Sequence, residues 1–143
     1  MGFTTNLLNG LGAHLAGQAI GTWSATGVYS SGQTGIYLKV VPASPDAVIV
    51  LNTYPVSDDP SLSDSSIGVQ IRTRAGVDPR TVDDTADAIF DALHGLAALT
   101  LGAIRVQQVR RTSYAQLGTD SNGRHERSDN YRFDLWRPST HRT

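Results

Sequence analysis

Four aspartates within one short segment are the strongest candidates for a chemical site. The segment VDPRTVDDTADAIFDALHG, residues 77–95, contains Asp83, Asp84, Asp87 and Asp91. Carboxylates spaced by four residues lie along one side of a helix, where they could bind a divalent cation. The same spacing is typical of the solvated side of an amphipathic helix, and a third interpretation is a surface that binds the arginines of a partner. We favour the solvated side, because metal sites usually recruit ligands from several elements and the sequence offers no obvious complement.

Other residue types give no catalytic pattern. The chain has no cysteine, and its histidines, His14, His94, His125 and His141, have no zinc-ligand spacing. No serine lies in a G-x-S-x-G motif. The segment GLGAHLAG begins like a dinucleotide fingerprint but has Leu15 in the position of the third glycine. We therefore expect neither an enzyme nor a bound metal or cofactor.

Charge is distributed unevenly along the 143 residues. Residues 1–102 contain four basic and nine acidic side chains, whereas residues 103–143 contain eight arginines and four acidic side chains. Regions of opposite sign allow copies of a chain to pair head to tail. The arginine-rich region could also bind DNA phosphates, although sequence-reading modules are usually more basic. No apolar run approaches the length of a membrane span, so we expect no membrane segment.

The helices and strands that position these residues can be predicted from the spacing of apolar side chains. Leucines at helical spacing predict a helix over residues 4–18, followed by a loop over 19–34. Apolar runs at 35–42 and 47–56 predict two central strands. An acidic, serine-rich loop is expected at 57–66, and alternation predicts a half-buried strand at 67–74.

The second half of the chain predicts a helix and a hairpin. Asp78 and Pro79 are typical of a helix start, and Gly95 of its end. Between them a single apolar stripe is predicted, formed by Val82, Ala86, Ile89, Phe90 and Leu93. Residues 103–114 and 126–136 then form two strands joined by a polar linker, and the tail from about residue 138 is expected to be loose. We predict a single α+β domain in which a mixed or antiparallel sheet of about five strands packs against two helices.

The order of these segments resembles the phage tail terminator family, some members of which are described as minor capsid proteins. The block YPVSDDPSLSDSSIGVQIRTRAGVDPRTVDDTADAIFDALHG combines a Tyr-Pro strand end, an acidic loop, an arginine-bearing strand and a proline-led helix. The closing strand SDNYRFDLW is similar to the family's aromatic–polar alternation. The resemblance covers roughly residues 4–137 and implies a lambda-type tail-terminator fold.

The family resemblance also implies a structural role in the virion. Tail terminators form a hexameric ring on the head-proximal end of the tail tube, stop its polymerisation and meet the neck proteins, while DNA passes through the lumen without specific binding. Location at the tail–neck junction, after assembly in the host cytoplasm, would follow. A neck or head-completion protein of the same virion and a small DNA-binding module remain as alternatives, as does a metal-dependent nuclease.

A ring of identical subunits needs two different patches on each copy. We expect the helix aspartates of one copy to lie near arginines among Arg105, Arg110 and Arg111 of the next copy. The candidate subunit or partner interface comprises Asp58, Asp59, Asp64, Asp83, Asp84, Asp87, Asp91, Arg72, Arg74, Arg105, Arg110 and Arg111.

Overall fold

The computed structural model describes residues 2–142, which form two helices and a six-stranded sheet. The elements in chain order are α1 (Phe3–Gly17), β1 (Gly35–Leu38), β2 (Val48–Asp58), β3 (Asp64–Arg74), α2 (Pro79–Leu93), β4 (Ala97–Leu101), β5 (Ile104–Thr119) and β6 (His125–Trp136). The strands lie in the order β1-β2-β3-β6-β5-β4. Only β1 and β2 are parallel, and the other neighbours are antiparallel. The predicted α+β fold with a mixed sheet is confirmed, with six strands in place of about five.

Both helices contribute to a single hydrophobic core on one face of the sheet. Strand alternation turns Tyr131, Phe133 and Leu135 of β6 to this face, and each is at most 1% exposed. Burial of one such side chain contributes about 1.5–3 kcal/mol. The next residues along the same alternation, Arg127 and Asp129, therefore also point toward the helices.

The predicted start and apolar stripe of α2 are confirmed. The Asp78 carboxylate accepts a hydrogen bond from the backbone N–H of Arg80 at 3.0 Å, and Pro79 is the first helical residue. The buried residues are Val82, Ala86, Ile89 and Leu93. Phe90, predicted to belong to the stripe, is only half buried.

Two glycines let α1 approach its neighbours closely. A Cβ atom on Gly10 would lie 2.6 Å from the backbone nitrogen of Gly102, in the turn between β4 and β5. A Cβ atom on Gly12 would lie 2.6 Å from the Trp23 ring. Glycine lowers helix propensity by up to about 1 kcal/mol relative to alanine, but at these two positions it removes a steric clash.

Several predicted boundaries are wrong. β1 ends at Leu38, because Lys39 adopts a positive φ of 69° and the chain leaves the sheet. The strand was predicted to be central but lies at the sheet edge. Its outer side is partly paired with the preceding segment, in which the Thr22 carbonyl accepts the Ile36 N–H. The acidic loop is shorter than residues 57–66, because β2–β3 pairing continues to Asp58 and Ser65.

The hairpin differs from the prediction at both ends. β4 was not predicted, because five residues, AALTL, carry too little periodicity to be distinguished from a helix end. β5 continues to Thr119, so the predicted linker at residues 115–125 contracts to a short turn. The loose tail stays a prediction. In the structure Arg142 donates hydrogen bonds to the carbonyl oxygens of Leu62 and Asp64, at 2.5 and 2.6 Å.

Gly10→Ala should destabilise the fold, because the methyl group meets backbone atoms that have little room to move. Overpacking of this kind costs about 1–3 kcal/mol. The matched control is Gly17→Ala in the same helix, where a Cβ atom meets nothing within 4 Å, and it should be neutral or stabilising by up to about 1 kcal/mol. Urea unfolding of both variants checks this, and equal midpoints would contradict the close-packing role of Gly10.

Candidate functional site

The four aspartates of α2 divide into two pairs with different surroundings. Asp83 and Asp87 face the sheet and bind the Arg127 guanidinium of the same chain, with Nη1–Oδ1 distances of 3.1 and 3.3 Å. Asp84 and Asp91 are exposed, as Asp87 is, but they form no ion pair within residues 2–142. Within residues 2–142 no group of three or more acidic or histidine side chains is arranged to hold a metal ion.

Arg127 is the centre of a buried polar cluster. Its side chain is 4% exposed and forms a two-pronged ion pair with Asp129, at 2.8 and 3.1 Å. The guanidinium also lies 3.9 Å from the centre of the Tyr114 ring. Burial lowers the pKa of Arg127, but the carboxylates of Asp129, Asp83 and Asp87 outweigh this effect and raise it. The cluster therefore connects α2 with β5 and β6.

Two residues of β5 extend the cluster. The side-chain amide of Gln116 donates to Asp83 at 2.7 Å, and this bond, with Arg127, holds the pKa of Asp83 below its usual value. Arg111 lies over the Phe90 ring, 4.3 Å from its centre, and pairs with Asp129 at 3.5 Å. Arg111 was predicted to lie near the aspartates of another subunit, which stays a prediction; within its own chain it contacts Phe90 and Asp129.

Arg105 and Arg110 are the exposed cations of β5. Buried Ile104, Val106 and Val109 alternate with them, so both arginines lie on the face of the sheet away from the helices. Arg110 is opposite Arg132 on β6, whose charge is neutralised by Asp134 at 3.0 Å. Arg110 therefore keeps an outward positive charge.

The two candidate arginines of β3 differ in exposure. Arg72 is half buried and pairs with Glu126 at 3.0 Å. Arg74 is 3% exposed and donates to the carbonyl oxygens of Asp46 and Pro45, at 2.9 and 2.7 Å. Burial lowers the pKa of Arg74, and the nearby Arg124 adds to this effect. Arg74 therefore holds the segment that covers this end of the sheet.

Three acidic candidates surround the β2–β3 turn. Asp59 accepts hydrogen bonds from the backbone N–H groups of Ser61 and Leu62, and these hold its pKa below the usual value. Asp58 accepts from the Ser65 hydroxyl at 2.6 Å. The third, Asp64, is exposed. Hydrogen bonds to Asp58 and Asp59 thus hold the turn in one conformation.

Sequence reasoning missed the role of Arg127, Asp129 and Gln116. A signal for the first two was present, because they share the alternation of Tyr131 and Phe133 and so had to point toward a helix. Gln116 gave no such signal, because two irregularities of β5, between Val106 and Gln108 and between Arg111 and Ser113, change which of its side chains face the helices.

Comparisons with known proteins agree with the resemblance read from the sequence. The family described as bacteriophage tail terminator protein matches residues 14–136. A chain from the solved structure "Virion of native gene transfer agent (GTA) particle" has a similar fold, with a TM-score of 0.61 and 17% identity, covering 91% of this chain and 97% of that chain. A search of curated protein sequences finds no match.

The family match defines the chain first as a phage structural protein. More narrowly, it belongs to the bacteriophage tail terminator family, whose model spans every element from the end of α1 to the last residue of β6. Among residues 2–142 no helix is long and apolar enough to cross a membrane.

Arg127→Leu should lower the free energy of unfolding, because it leaves the 3%-exposed Asp129 carboxylate without its main partner. Breaking a buried pair from one side costs about 3–5 kcal/mol. The double variant Arg127→Leu/Asp129→Leu should lose less than the single one, and Arg80→Leu, at an 85%-exposed side chain, should leave the unfolding midpoint nearly unchanged. Equal losses in the single and double variants, measured by urea unfolding, would refute the pairing role of Arg127.

Proposed function

We propose that this protein ends the growth of the phage tail tube by forming a ring on its head-proximal end and joining it to the neck. The observation that carries the proposal is the family match over residues 14–136. The partners are further copies of the chain, in a hexamer, the tail tube protein and a neck protein. DNA passes through the lumen without specific binding, and the location is the tail–neck junction, after assembly in the host cytoplasm.

The position of the free charges supports an arrangement in which neighbouring copies meet through different faces. Asp84 and Asp91 lie on α2, on one side of the sheet, and Arg110 points away from the other side. Because these two patches lie on opposite sides of one chain, the helix side of one copy would contact the other side of the next copy. Repetition of this contact generates a ring or a filament. Asp83, Asp87 and Arg111 have partners in their own chain. The proposed pairing therefore narrows to Asp84 and Asp91 facing Arg105 or Arg110, of which Arg110 is the one that we propose to test.

The DNA-binding alternative is less well supported by the contacts. Four of the six arginines from β5 to β6 pair with carboxylates of the same chain, namely Arg111, Arg124, Arg127 and Arg132. Only Arg105 and Arg110 keep an outward charge without such an ion pair. Phosphate binding draws on free cations, and two of them make a small electrostatic surface.

Deletion of the gene from its phage tests the proposal directly. We expect abnormally long tails that are detached from filled heads, because nothing would stop addition of the tube protein. Negative-stain electron microscopy of the lysate measures tail length, and the deleted gene supplied on a plasmid is the control. Tails of normal length that fail to attach would indicate a neck or completion protein instead, and intact infectious particles would overturn both structural roles.

Charge reversal on α2 tests the narrowed pairing. Asp84→Arg/Asp91→Arg should reduce the fraction of tails that carry the protein, because like charges would then face Arg110 of the neighbouring copy. Each exposed pair is worth only about 0–1 kcal/mol, so we expect a partial loss that increases at low salt. Adding Arg110→Asp should restore binding to purified tails. Unchanged binding in the first variant would refute the pairing.

A further inference from the structure

An exposed groove lies at the β4 edge of the sheet. It has a volume of about 540 Å³ and is lined by Ala97, Leu99, Arg105 and Trp136, among others. Trp136 is 45% exposed although it is the largest apolar side chain at this end of the sheet. Because it alternates with the buried Leu135, its ring lies on the face away from the helices. An exposed indole beside apolar strand residues is typical of a surface that a partner covers.

The groove carries one positive charge. Arg105 is exposed, and no acidic side chain within residues 2–142 forms an ion pair with it. A partner that fits this surface presents an apolar side chain next to carboxylates, because complementary charge fixes the register of an interface.

The turn between β2 and β3 has this composition. Leu62 is 49% exposed, and Val56 on the adjoining strand is 45% exposed. The carboxylates surrounding them are Asp58, Asp59 and Asp64. We call residues 58–64 the acidic tip.

The acidic tip is fixed before it meets a partner. Asp59 closes the turn by accepting the backbone N–H of Leu62 at 3.1 Å. From the other side Arg142 donates to the carbonyl oxygens of Leu62 and Asp64. A pre-formed projection loses little conformational entropy on docking.

We propose that the acidic tip of one copy docks into the groove of the next copy, with Leu62 against Trp136 and Leu99 and the carboxylates near Arg105. This inference rests on the proposed ring. The tip belongs to β2 and β3, whereas the groove extends from the end of β6 across β5 to β4. Tip and groove adjoin at one end of the sheet, where Asp64 on β3 is the cross-strand neighbour of Trp136 on β6, so repeated docking places this end of every copy on the same side of the ring.

Cysteine cross-linking tests the contact, and no native cysteine can form a competing disulfide because the chain contains none. The variant Leu62→Cys/Ala97→Cys, carried by the phage, should give a ladder of disulfide-linked multimers when isolated tails are oxidised and run on a non-reducing gel. Each single variant should stay monomeric. When the two single variants are mixed, oxidation should give dimers and nothing larger, because each copy then carries only one of the two cysteines that form the disulfide.

A matched control uses Ala97→Cys/Ala115→Cys, in which the second cysteine replaces an exposed residue on the far part of β5. It should give no ladder. Arg105→Glu added to the Leu62/Ala97 variant should lower the yield of multimers. Circular dichroism confirms that each variant is folded.

The outcomes separate this inference from the proposed function. A ladder limited to the Leu62/Ala97 variant supports the docking. Absence of the ladder, or dimers from a single variant, overturns the docking even if the gene deletion gives long tails, in which case the terminator function stands. A ladder combined with tails of normal length in the deletion supports the contact between copies and overturns the terminator function.

Discussion

The orientation of α2 depends on one buried cation. Arg127 is surrounded by Asp129 from its own strand, by Asp83 and Asp87 from the helix, and by the Tyr114 ring from β5. The strongest ion pair of Arg127 is the one with Asp129 in the same strand, and the further ion pairs with Asp83 and Asp87 attach the helix to this strand. Asp84 and Asp91 form no ion pair within the described residues 2–142. The ion pairs of Arg127 thus distinguish two aspartates that hold the helix from two that do not.

The same cluster covers one end of the apolar core, so that the core side chains there are not left exposed. Along β6 the helix-facing positions change from Leu135, Phe133 and Tyr131 to Asp129 and Arg127. Hydrophobic burial supplies most of the stability at one end, and paired charges cover the other end. The face of the sheet away from the helices is stabilised differently, by cross-strand pairs such as Arg72 with Glu126, which can form at a surface in contact with water.

The sequence alone predicted those parts of the fold that rest on local patterns. Asp78, Pro79 and the apolar stripe defined α2, and alternation defined β3 and β6. The prediction failed where contacts between separate segments of the chain determine the local structure. β1 lies at the sheet edge, where the preceding segment pairs with it in part, and Gly10 is required by a turn some ninety residues away in sequence. For the candidate site the type of charge was predictable, whereas the division of the helix aspartates into those that bind Arg127 and those that do not required the position of Arg127.

A ring-forming protein must hold its contact surfaces in place before its partners arrive, because every flexible segment ordered at an interface weakens binding. In this chain α2 and the acidic tip are both held by contacts with the rest of the fold. α2 is fixed by Arg127, and the acidic tip is fixed by Asp59 from within and by Arg142 from the tail. Charge pairs between exposed groups add little affinity. In the proposed ring such pairs would select one register, while apolar groups such as Leu62 and Trp136 would supply adhesion once that register is reached.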